Sequence, residues 1–543
     1  MRKFINTLVL KRSLSSLYYK TPIYNFFLNN NLSKEVSNIL NDPWEGDVQI
    51  GRDILKGYIS FFGETINYKS SIWGGNNSTT LWKEELHSFN WIKDIRAVGT
   101  NKARSFLRKS VYDWVLQYNK WSLREWRSDI IGKRLYSLLG NFNFFCSSAD
   151  DNFQKLMLES LFKQGNHLIK NKLQDISGYD RIFAIKGLIA VSITYTKLSS
   201  YLDFSVKLLL SEISIQVLDD GSHYLKSPSK HSEFLQNLID IRSYLAEAKY
   251  KTPKNINDCI LKMASVLKFY KNGGETLATF NNSRHISKKL LNQIILRANS
   301  KLKIPDSLTC SGFQKISQNK VNFFMDCGPP VKEDTYAGSL SFELSIGKSQ
   351  MIVNCGSPYI NNKVWTEAMK STAAHSTLSI DNINSSDIFF NKRKKKSRIA
   401  NVWSQRRKQG NCHWIDAAHS GYKDIFGLIH SRKIHIDSEK KIIRGQDYLS
   451  RSNKIYQKIS KKYYLRFHLF PDVEVNVTGS KKKAILRLAD GTGWEFICSE
   501  PRIEIKESIY LGQEQKISKN SHILVSSPII PEKKIRWLFK LIK

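Results

Sequence analysis

The sequence predicts an α+β protein of more than one domain, with helices in its first half and antiparallel strands in its second. The chain has 543 residues, which exceeds the size at which one hydrophobic core usually divides. Apolar residues recur at helical spacing between about residues 80 and 300, and from about residue 305 they alternate with polar residues to the end. Each part has the periodicity of one kind of secondary structure.

The helical part consists of amphipathic segments separated by short polar breaks. The candidate helices span 82–97, 104–118, 126–140, 151–173, 180–198, 201–218, 232–250 and 257–270. An array of antiparallel helix pairs closes as a bundle, a solenoid or a toroid. No repeat of fixed length is visible, which disfavours the solenoid.

The strand-rich part begins with three consecutive strand candidates and continues with many more. The candidates span 321–325, 336–345, 351–359, 371–381, 399–403, 412–416, 426–430, 433–436, 463–469, 473–478, 483–488 and 494–498. Many antiparallel strands at hairpin spacing predict a β-sandwich or related stacked sheets.

The charge balance is typical of a protein with a polyanionic partner, and the alternative is that the many Lys, Asn and Ile residues only reflect an AT-rich coding sequence. The chain contains 84 Lys and Arg residues against 48 Asp and Glu, which gives a formal net charge of +36. Such a surface attracts nucleic acid, an anionic membrane or an acidic polysaccharide over long range. The basic run at 391–398 is typical of a solvated loop or of a nucleic-acid or heparin patch, and we favour the loop. No recognisable nucleic-acid-binding motif accompanies the charge, so a nucleic-acid partner is disfavoured.

Cysteine usage and the N-terminus bear on the compartment. The 7 cysteines are scattered and include no Cys-x-x-Cys pair, which disfavours a disulfide framework or a cysteine zinc site. The apolar run near the N-terminus is shorter than the core of a signal peptide, and no stretch reaches transmembrane length. The direct interpretation is a soluble cytoplasmic protein without a membrane span.

One histidine stands out in the strand-rich part. Three adjacent strands between Tyr336 and Asp381 would bring Asn354, Tyr359 and His375 within reach of one another. Single histidines are usually structural, so an ordinary sheet with one satisfied His375 is the alternative.

Several blocks of the sequence occur together in a characteristic order. They are "NDPWEGDVQIGRDILKGYISFFGE", "LHSFNWIKDIRAVG", "WRSDIIGKRLYSLL", "DDGSHYLKSPSKHSEFLQNLIDIRSYL", "AGSLSFELSIGKSQMIVNCGSPY" with "STAAHSTLSIDNINSS", and "HSGYKDIFGLIHSRKI". In this order they resemble the heparinase II/III family of polysaccharide lyases. The resemblance implies an N-terminal extension at 1–40, an incomplete (α/α) toroid at 41–300 and an antiparallel β-sandwich at 301–543. It also implies a setting in the cell envelope or periplasm, where the residues alone suggest the cytoplasm.

The resemblance further implies the chemistry and some of its residues. Family lyases remove the proton beside a uronate carboxylate by β-elimination, which requires a group that neutralises the carboxylate and a Tyr or His as base and acid. The pair Asn166-His167 resembles the family's Asn-His pair. Lys230 occupies the position of the family's tyrosine, and a lysine acts as a base only where burial lowers its pKa. His231 is a substitute, as are His223 and Tyr224.

The metal ligands of the better-known relatives are only partly retained. His375 matches one ligand, whereas Asn354 stands where the family has an aspartate, and asparagine is a poor zinc ligand. The resemblance therefore allows zinc as a cofactor but predicts an incomplete site, unless one of four other side chains contributes: Asp334, Asp416, His419 or His430. Tyr359 and Tyr422 are the phenols offered as a general acid.

The sequence thus predicts a lyase that cleaves an acidic, uronate-containing polysaccharide. The first alternative is a binding protein that has kept the fold and a basic surface but has lost catalysis. The second is a nucleic-acid-binding protein, which only the charge and the run at 391–398 suggest.

Overall fold

The chain folds into two compact units, which are described separately. The helical unit comprises residues 1–216 and 236–258, and the strand-rich unit comprises residues 217–235 and 259–543. The computed structural model describes residues 16–29, 32–74, 78–332, 334–358, 362–388, 398–452, 461–513 and 516–542.

The helices precede the sheets along the chain. They are α1 (Pro22–Asn29), α2 (Val48–Leu55), α3 (Thr80–Ser88), α4 (Ile92–Val98), α5 (Asn101–Tyr118), α6 (Ser128–Gly140), α7 (Phe142–Phe145), α8 (Asp151–Asn171), α9 (Arg181–Thr194), α10 (Leu202–Gln216), α11 (Pro228–Glu247), α12 (Lys254–Tyr270) and α13 (Lys288–Ala298). A hairpin of β1 (Tyr58–Phe61) and β2 (Glu64–Asn67) lies between α2 and α3. None of these helices, within the part of the chain that the structure describes, combines the length and the apolar character needed to cross a bilayer.

Local signals in the sequence set several helix boundaries. The side chains of Thr100 and Asp150 accept hydrogen bonds from backbone N–H groups in the first turns of α5 and α8, which satisfies donors that a helix start leaves unpaired. The predicted helix 82–97 is wrong as a single element. Phe89 adopts a left-handed conformation with φ of 59°, which ends α3 before α4 begins.

Two glycines allow a close helix crossing in the helical unit. A Cβ atom on Gly187 of α9 would lie 2.4 Å from the Cα of Gly132 in α6, and a Cβ on Gly132 would meet the backbone of Phe183. Any larger residue would push the two helices apart. Beside this crossing, Lys186 forms a buried ion pair with Asp240 at 2.5 Å.

The strand-rich unit contains two antiparallel sheets. Their strands are β3 (Ser307–Leu308), β4 (Phe313–Gln318), β5 (Val321–Asp326), β6 (Phe342–Ile346), β7 (Ser349–Val353), β8 (Leu378–Ile380), β9 (Val402–Gln409), β10 (Cys412–His419), β11 (Leu428–Asp437), β12 (Ile442–Arg451), β13 (Lys462–Leu469), β14 (Glu474–Val477), β15 (Lys483–Arg487), β16 (Gly493–Cys498), β17 (Ile503–Gln513), β18 (Lys516–Pro528) and β19 (Ile535–Leu541). The eight-stranded sheet has the order β14-β15-β16-β19-β12-β11-β10-β9. The nine-stranded sheet has the order β17-β18-β13-β7-β6-β5-β4-β3, and β8 pairs with β13. Two short helices, α14 (Lys363–Lys370) and α15 (Lys423–Phe426), interrupt the strands.

The two sheets share one hydrophobic core. Phe342 of β6 stacks on Trp537 of β19, with ring centroids 5.6 Å apart and planes only 7° from parallel, so the contact joins the nine-stranded sheet to the eight-stranded one. Buried residues alternate with partly or fully exposed ones along β12 and β19, as expected for strands with one face on a core. The predicted fold class, helices followed by an antiparallel β-sandwich, is confirmed.

Two details of the predicted strands are wrong. The predicted strand 371–381 is mostly a short 3-10 turn, Thr372–Ala374, and an extended link, and only β8 pairs as a strand. The predicted strands 426–430 and 433–436 are one strand, β11. Residues 217–235 and 259–298 belong to the same compact unit as the sheets. The predicted domain ranges 41–300 and 301–543 stay predictions.

Candidate functional site

His375 lies at the centre of a polar cluster in the strand-rich unit. It directly follows the 3-10 turn, and its Nδ1 donates a hydrogen bond to the Ser371 carbonyl at 2.8 Å. The other nitrogen, Nε2, therefore carries the lone pair of the neutral ring. Burial lowers the pKa of His375 to about 4, so the ring is neutral near pH 7 and Nε2 can accept a proton.

A glycine makes room for this ring. A Cβ atom on Gly338 would lie 2.5 Å from His375 Cδ2, which is far closer than carbon atoms approach in proteins. The loop before β6 therefore places a residue without a side chain against the face of the imidazole.

Tyr336 packs edge-on against the same imidazole. The two ring centroids are 6.3 Å apart and the planes are inclined by 85°. The Ser357 hydroxyl donates to Asn282 Oδ1 at 2.6 Å, so the contact of 3.2 Å between the Tyr336 and Ser357 hydroxyls is donated by Tyr336. The phenol proton thus begins a short hydrogen-bonded chain that ends at Asn282.

Side chains of both charge signs lie near the Tyr336 phenol. Burial raises the pKa of Tyr336 above its ordinary value and the Asp334 carboxylate adds to the rise, while the positive charge of Arg284 opposes it. Lys370 Nζ lies 2.7 Å from Asp334 Oδ1 and 5.7 Å from the centroid of the Tyr336 ring. The phenol is protonated near pH 7 and has cations close by.

A strained turn connects this cluster to a second pair of charges. Asn281 and Asn282 have φ values of 48° and 61°, in the left-handed region that asparagine tolerates better than most residues. The Asn282 amide donates to Asp334 at 3.1 Å, and the Asn281 amide donates to the Lys226 carbonyl at 3.3 Å. Burial raises the pKa of Asp326, which lies beside Lys226, to about 6.

The segment that carries Lys230 is tied to this turn. The Ser229 N–H donates to the Ser283 hydroxyl at 3.2 Å, and the Arg284 N–H donates to the Ser229 hydroxyl at 3.0 Å. Lys230, which is half-buried, therefore follows a residue that is held beside Arg284. The structure thus brings the Lys230 segment, Tyr336 and His375 into one connected network.

His231 and His223 face the interior instead. His231 Nε2 donates to the Met263 carbonyl at 2.8 Å, and burial lowers its pKa to about 4. The His223 ring is buried, and its Nδ1 accepts from the Leu225 N–H at 3.2 Å. Both imidazoles hold the fold of the 217–235 segment.

Asn354 braces the His375 segment. Its Oδ1 accepts a hydrogen bond from the Ser376 N–H at 3.0 Å, and its amide group lies 3.4 Å from Glu343 Oε1. Burial raises the pKa of Glu343 to about 7, against hydrogen bonds from Thr279. Asn354 therefore meets the residue after His375, on a neighbouring segment.

The donors at this point do not fit a zinc ion. The Asn354 oxygen is engaged by a backbone N–H and His375 Nδ1 by a carbonyl. No group of three or more His, Cys, Asp or Glu side chains in the described ranges is arranged to hold a metal ion. Asp334 pairs with Lys370, and Glu343 lies against the Asn354 amide.

The Asn166-His167 pair lies in the helical unit, on α8. His167 is fully buried, its Nδ1 is 2.7 Å from the Tyr24 hydroxyl, and burial lowers its pKa to about 3. Its Nε2 has no hydrogen-bond partner in the described structure. Asn166 is half-buried. The role that the family resemblance implies for this pair stays a prediction.

Other residues singled out in the sequence have separate places. Tyr359 and residues 391–397 lie outside the described residues. Asp416 is half-exposed and lies 3.7 Å from Lys433. Tyr422 is buried and its hydroxyl donates to the Leu378 carbonyl at 3.2 Å, so it has a structural contact.

His419 and His430 belong to a fully buried charge network between β10, β11 and β12. The Gly421 N–H donates to His419 Nδ1 at 3.0 Å, so His419 Nε2 carries the proton and donates to His430 Nδ1 at 3.1 Å. His430 Nε2 in turn donates to Asp447 at 2.7 Å, and Arg432 Nε donates to the same carboxylate at 2.8 Å. Both histidines are neutral in this arrangement, since each ring uses one donor and one acceptor.

Arg432 connects this charge network to the candidate site. Its guanidinium donates to the carbonyls of Leu340 at 2.7 Å and Ser376 at 2.9 Å. Leu340 is two residues after Gly338, and Ser376 follows His375. The buried Arg432 thereby clamps both segments that hold the imidazole.

Comparison with known proteins decides the family. A sequence pattern described as "Heparinase II/III N-terminus" matches residues 53–304, and one described as "Heparinase II/III-like, C-terminal" matches residues 301–538. The chain belongs to the heparinase II/III family. The fold of this family member is similar to a crystal structure of heparinase III, with a TM-score of 0.71, 12% identity, and coverage of 95% of this chain and 86% of that one.

Two further proteins are similar to this chain over most of its length. Heparan sulfate lyase HepC from Pedobacter heparinus has a TM-score of 0.63 and 15% identity, with 96% of this chain and 88% of that chain covered. "FtsZ-localized protein C" from Caulobacter vibrioides (strain NA1000 / CB15N) is 24% identical over 517 residues, which are 92% of this chain and 88% of the relative. The similarity to the solved structures shows the fold, and the family assignment supports a polysaccharide-lyase-like character.

Three residues of the network were not identified as site residues from the sequence. Tyr336 was placed in a strand, and neither Asn282 nor Arg284 stood on a recognised motif. A sequence signal does exist, because Asn-Asn followed by Ser-Arg is a turn composition, here between α12 and α13. Only the tertiary structure shows that this turn reaches the hydroxyl of Ser357.

Proposed function

We propose that the protein cleaves an acidic, uronate-containing polysaccharide by β-elimination, at the cluster around Tyr336 and His375. The observation that carries the proposal is the pairing of a protonated phenol with a neutral imidazole, edge to face at 6.3 Å. Arg284 and Lys370 supply positive charge beside the pair. A base, an acid and cations within one network are what the reaction requires.

The roles follow from the protonation states. The cations offset the charge of the uronate carboxylate, which makes the C5 proton more acidic. His375 Nε2 has the lone pair that accepts this proton. Tyr336, whose hydroxyl donates to Ser357 in this structure, transfers that proton to the leaving glycosidic oxygen when substrate replaces Ser357 as the acceptor. The C5–H bond and the C4–O bond break, and a C4=C5 double bond forms. Lys230 is a further cation for the substrate, on the segment held beside Arg284.

The test is an absorbance assay with conservative variants. Elimination leaves a conjugated double bond that absorbs in the ultraviolet, whereas hydrolysis does not, so purified protein is incubated with a panel of acidic polysaccharides. We expect Tyr336→Phe and His375→Ala to reduce turnover by about 100-fold or more. Tyr464→Phe and His413→Ala, which alter residues outside the network, should leave turnover nearly unchanged. Full activity of both network variants would refute the assignment.

The same assay examines the pair on α8. His167→Ala should reduce turnover by about 100-fold if the Asn166-His167 pair takes part as the family resemblance implies. A variant that folds normally and keeps full activity would leave His167 with its buried contact to Tyr24 alone.

The second candidate function is an acidic-glycan-binding protein without catalysis. Lys230 in place of the family's tyrosine, Asn354 in place of its aspartate, and the similarity to a protein named for its localisation with FtsZ favour this candidate. Tight binding of an acidic polysaccharide with no gain in ultraviolet absorbance would establish it. The predicted setting in the cell envelope, against the cytoplasmic setting that the residues alone suggest, is tested by fractionating cells and probing each fraction for the protein.

A further inference from the structure

A groove lined by cationic and aromatic side chains lies on the outer face of the eight-stranded sheet. It encloses about 580 Å³. Strand register aligns its side chains in two rows across the sheet: Arg407, Trp414, His435 and Arg444 in the first, and Asp416, Lys433, Gln446 and Arg536 in the second. We call these residues the outer-sheet groove. Successive residues of a strand point to opposite faces, so Lys433 faces the groove while its neighbour Arg432 faces the core.

The outer-sheet groove is strongly basic. Four of its lining residues are Arg or Lys, and Asp416 is the acidic residue among them. Lys433 Nζ lies 3.7 Å from Asp416, and both side chains are partly exposed, at 51% and 38%. Such a pair holds its partners weakly. The groove therefore presents several cations that an anionic ligand can engage.

An aromatic floor accompanies the charge. The Trp414 indole lies against the His435 ring, with centroids 5.0 Å apart. Arg444 donates to His435 Nδ1 at 3.3 Å, so this nitrogen carries a lone pair and the imidazole is neutral. Burial, reinforced by the charge of Arg444, lowers the pKa of His435. The indole and the neutral imidazole form a half-buried apolar surface between cations.

The spacing of the cations suits an extended ligand. Neighbouring strands are about 4.8 Å apart. Arg407 and Arg444 lie on β9 and β12, three strand spacings apart, which is about 14 Å. Lys433 and Arg536 lie on β11 and β19, two strand spacings apart, which is about 10 Å. Anionic groups that recur along a chain crossing the strands would meet one cation after another.

We propose that the outer-sheet groove binds a segment of anionic polysaccharide, separately from the site around His375. A sugar ring can stack on the Trp414 indole, its carboxylate or sulfate groups can pair with the arginines, and its hydroxyls can bond to Gln446. A single indole is a poor platform for nucleic acid, which uses several stacked aromatics. An acidic peptide that crossed the groove would pass over strands whose backbone groups are already paired, and in the described sheet the groove borders a free backbone edge only at the outer side of β9. The choice of a saccharide rests on the proposed function.

The groove and the candidate site lie on opposite faces of the eight-stranded sheet. The Arg432 side chain passes from the core face to the Ser376 carbonyl, next to His375, whereas the groove residues point outward. Ligand binding at the groove would hold a long polysaccharide on the protein between cleavage events, without contact with the reacting atoms. This predicts effects on affinity for long chains and none on the chemical step.

The experiment measures binding and elimination on the same full-length variants. Trp414→Ala and Arg444→Gln are compared with Arg487→Gln, which removes one charge from the same sheet outside the groove. The probes are long heparan sulfate, a short oligosaccharide of it, polygalacturonate, polyglutamate and single-stranded DNA. We expect each groove variant to weaken binding of the long anionic polysaccharides by about tenfold, equivalent to about 1.4 kcal/mol, with Arg487→Gln nearly neutral. Turnover of the short substrate should not change.

The outcomes separate this proposal from the proposed function. If no probe gives ultraviolet absorbance but groove variants still lose polysaccharide binding, the groove stands and the lyase function fails. If elimination occurs and the groove variants bind long polysaccharide as well as the unaltered protein, the groove proposal is overturned. It is also overturned if only polyglutamate or DNA responds to Trp414→Ala and Arg444→Gln.

Discussion

Replacing Asp447 by asparagine should strongly destabilise the strand-rich unit. The Asp447 carboxylate is fully buried and accepts hydrogen bonds from His430 at 2.7 Å, Arg432 at 2.8 Å and the Trp537 indole at 2.8 Å. The change Asp447→Asn removes the negative charge and turns one acceptor into a donor that faces other donors. The Arg432 guanidinium is then buried without a counter-charge. Breaking one partner of a buried ion pair costs about 3–5 kcal/mol of unfolding free energy.

Stability is measured by denaturant unfolding, monitored by tryptophan fluorescence. The slope of the unfolding free energy against denaturant concentration is compared between variants. Asp416→Asn is the matched control, since it removes the same charge from a half-exposed pair with Lys433 and should cost less than about 1 kcal/mol. Because Arg432 clamps the Ser376 carbonyl beside His375, elimination by the folded Asp447→Asn protein should also fall. A loss of stability below about 1 kcal/mol with an unchanged slope would refute the reasoning about the buried pair.

Three further predictions follow from the same unit. Gly338→Ala should displace the imidazole, because the new Cβ would lie 2.5 Å from His375. We expect the unfolding free energy to fall by about 1–3 kcal/mol and turnover to fall as well. The control Gly479→Ala, with open space around it, should change neither. Burial lowers the pKa of His375 and His231 to about 4 from an ordinary 6.5, so the unfolded chain binds more protons. Their contribution to stability is complete above about pH 6.5 and is lost as the pH falls towards about 4. The midpoint of thermal unfolding should therefore fall as the pH is lowered over this range, and a midpoint that rises on acidification would contradict this. Metal analysis of protein purified without chelator should find zinc well below one per chain, and near-stoichiometric zinc would show that further ligands complete the sphere around Asn354 and His375.

Most of the fold prediction depended on the periodicity of apolar residues along the chain. Helical spacing over 80–300 and alternation beyond 305 depend on side chains that are near neighbours along the chain, so the class of each segment can be read locally. The misplacements have local causes too. Phe89 enters the left-handed region although nothing in its residue type favours this, and the link at His375 is held by contacts from distant segments, including Arg432.

The candidate site was only partly predictable for the same reason. His375 and Asn354 were visible because they stand on matched family blocks, and the structure places Asn354 against the residue after His375. Tyr336, Asn282 and Arg284 join them from separate parts of the chain. Their meeting depends on how the 281–284 turn packs, which no neighbouring residue in the sequence reveals.

The sequence by itself determined the order of helices and strands, the excess of positive charge and the family, because each of these is written in local composition and spacing. Only the tertiary structure decided what the individual polar groups do. It buried His231 and His167 in neutral contacts, turned Asn354 into a brace, joined Tyr336 to His375, and aligned Arg407, Trp414, His435 and Arg444 across four strands. Burial and long-range hydrogen bonds set the protonation state and partner of each group, and those depend on segments far apart in the chain.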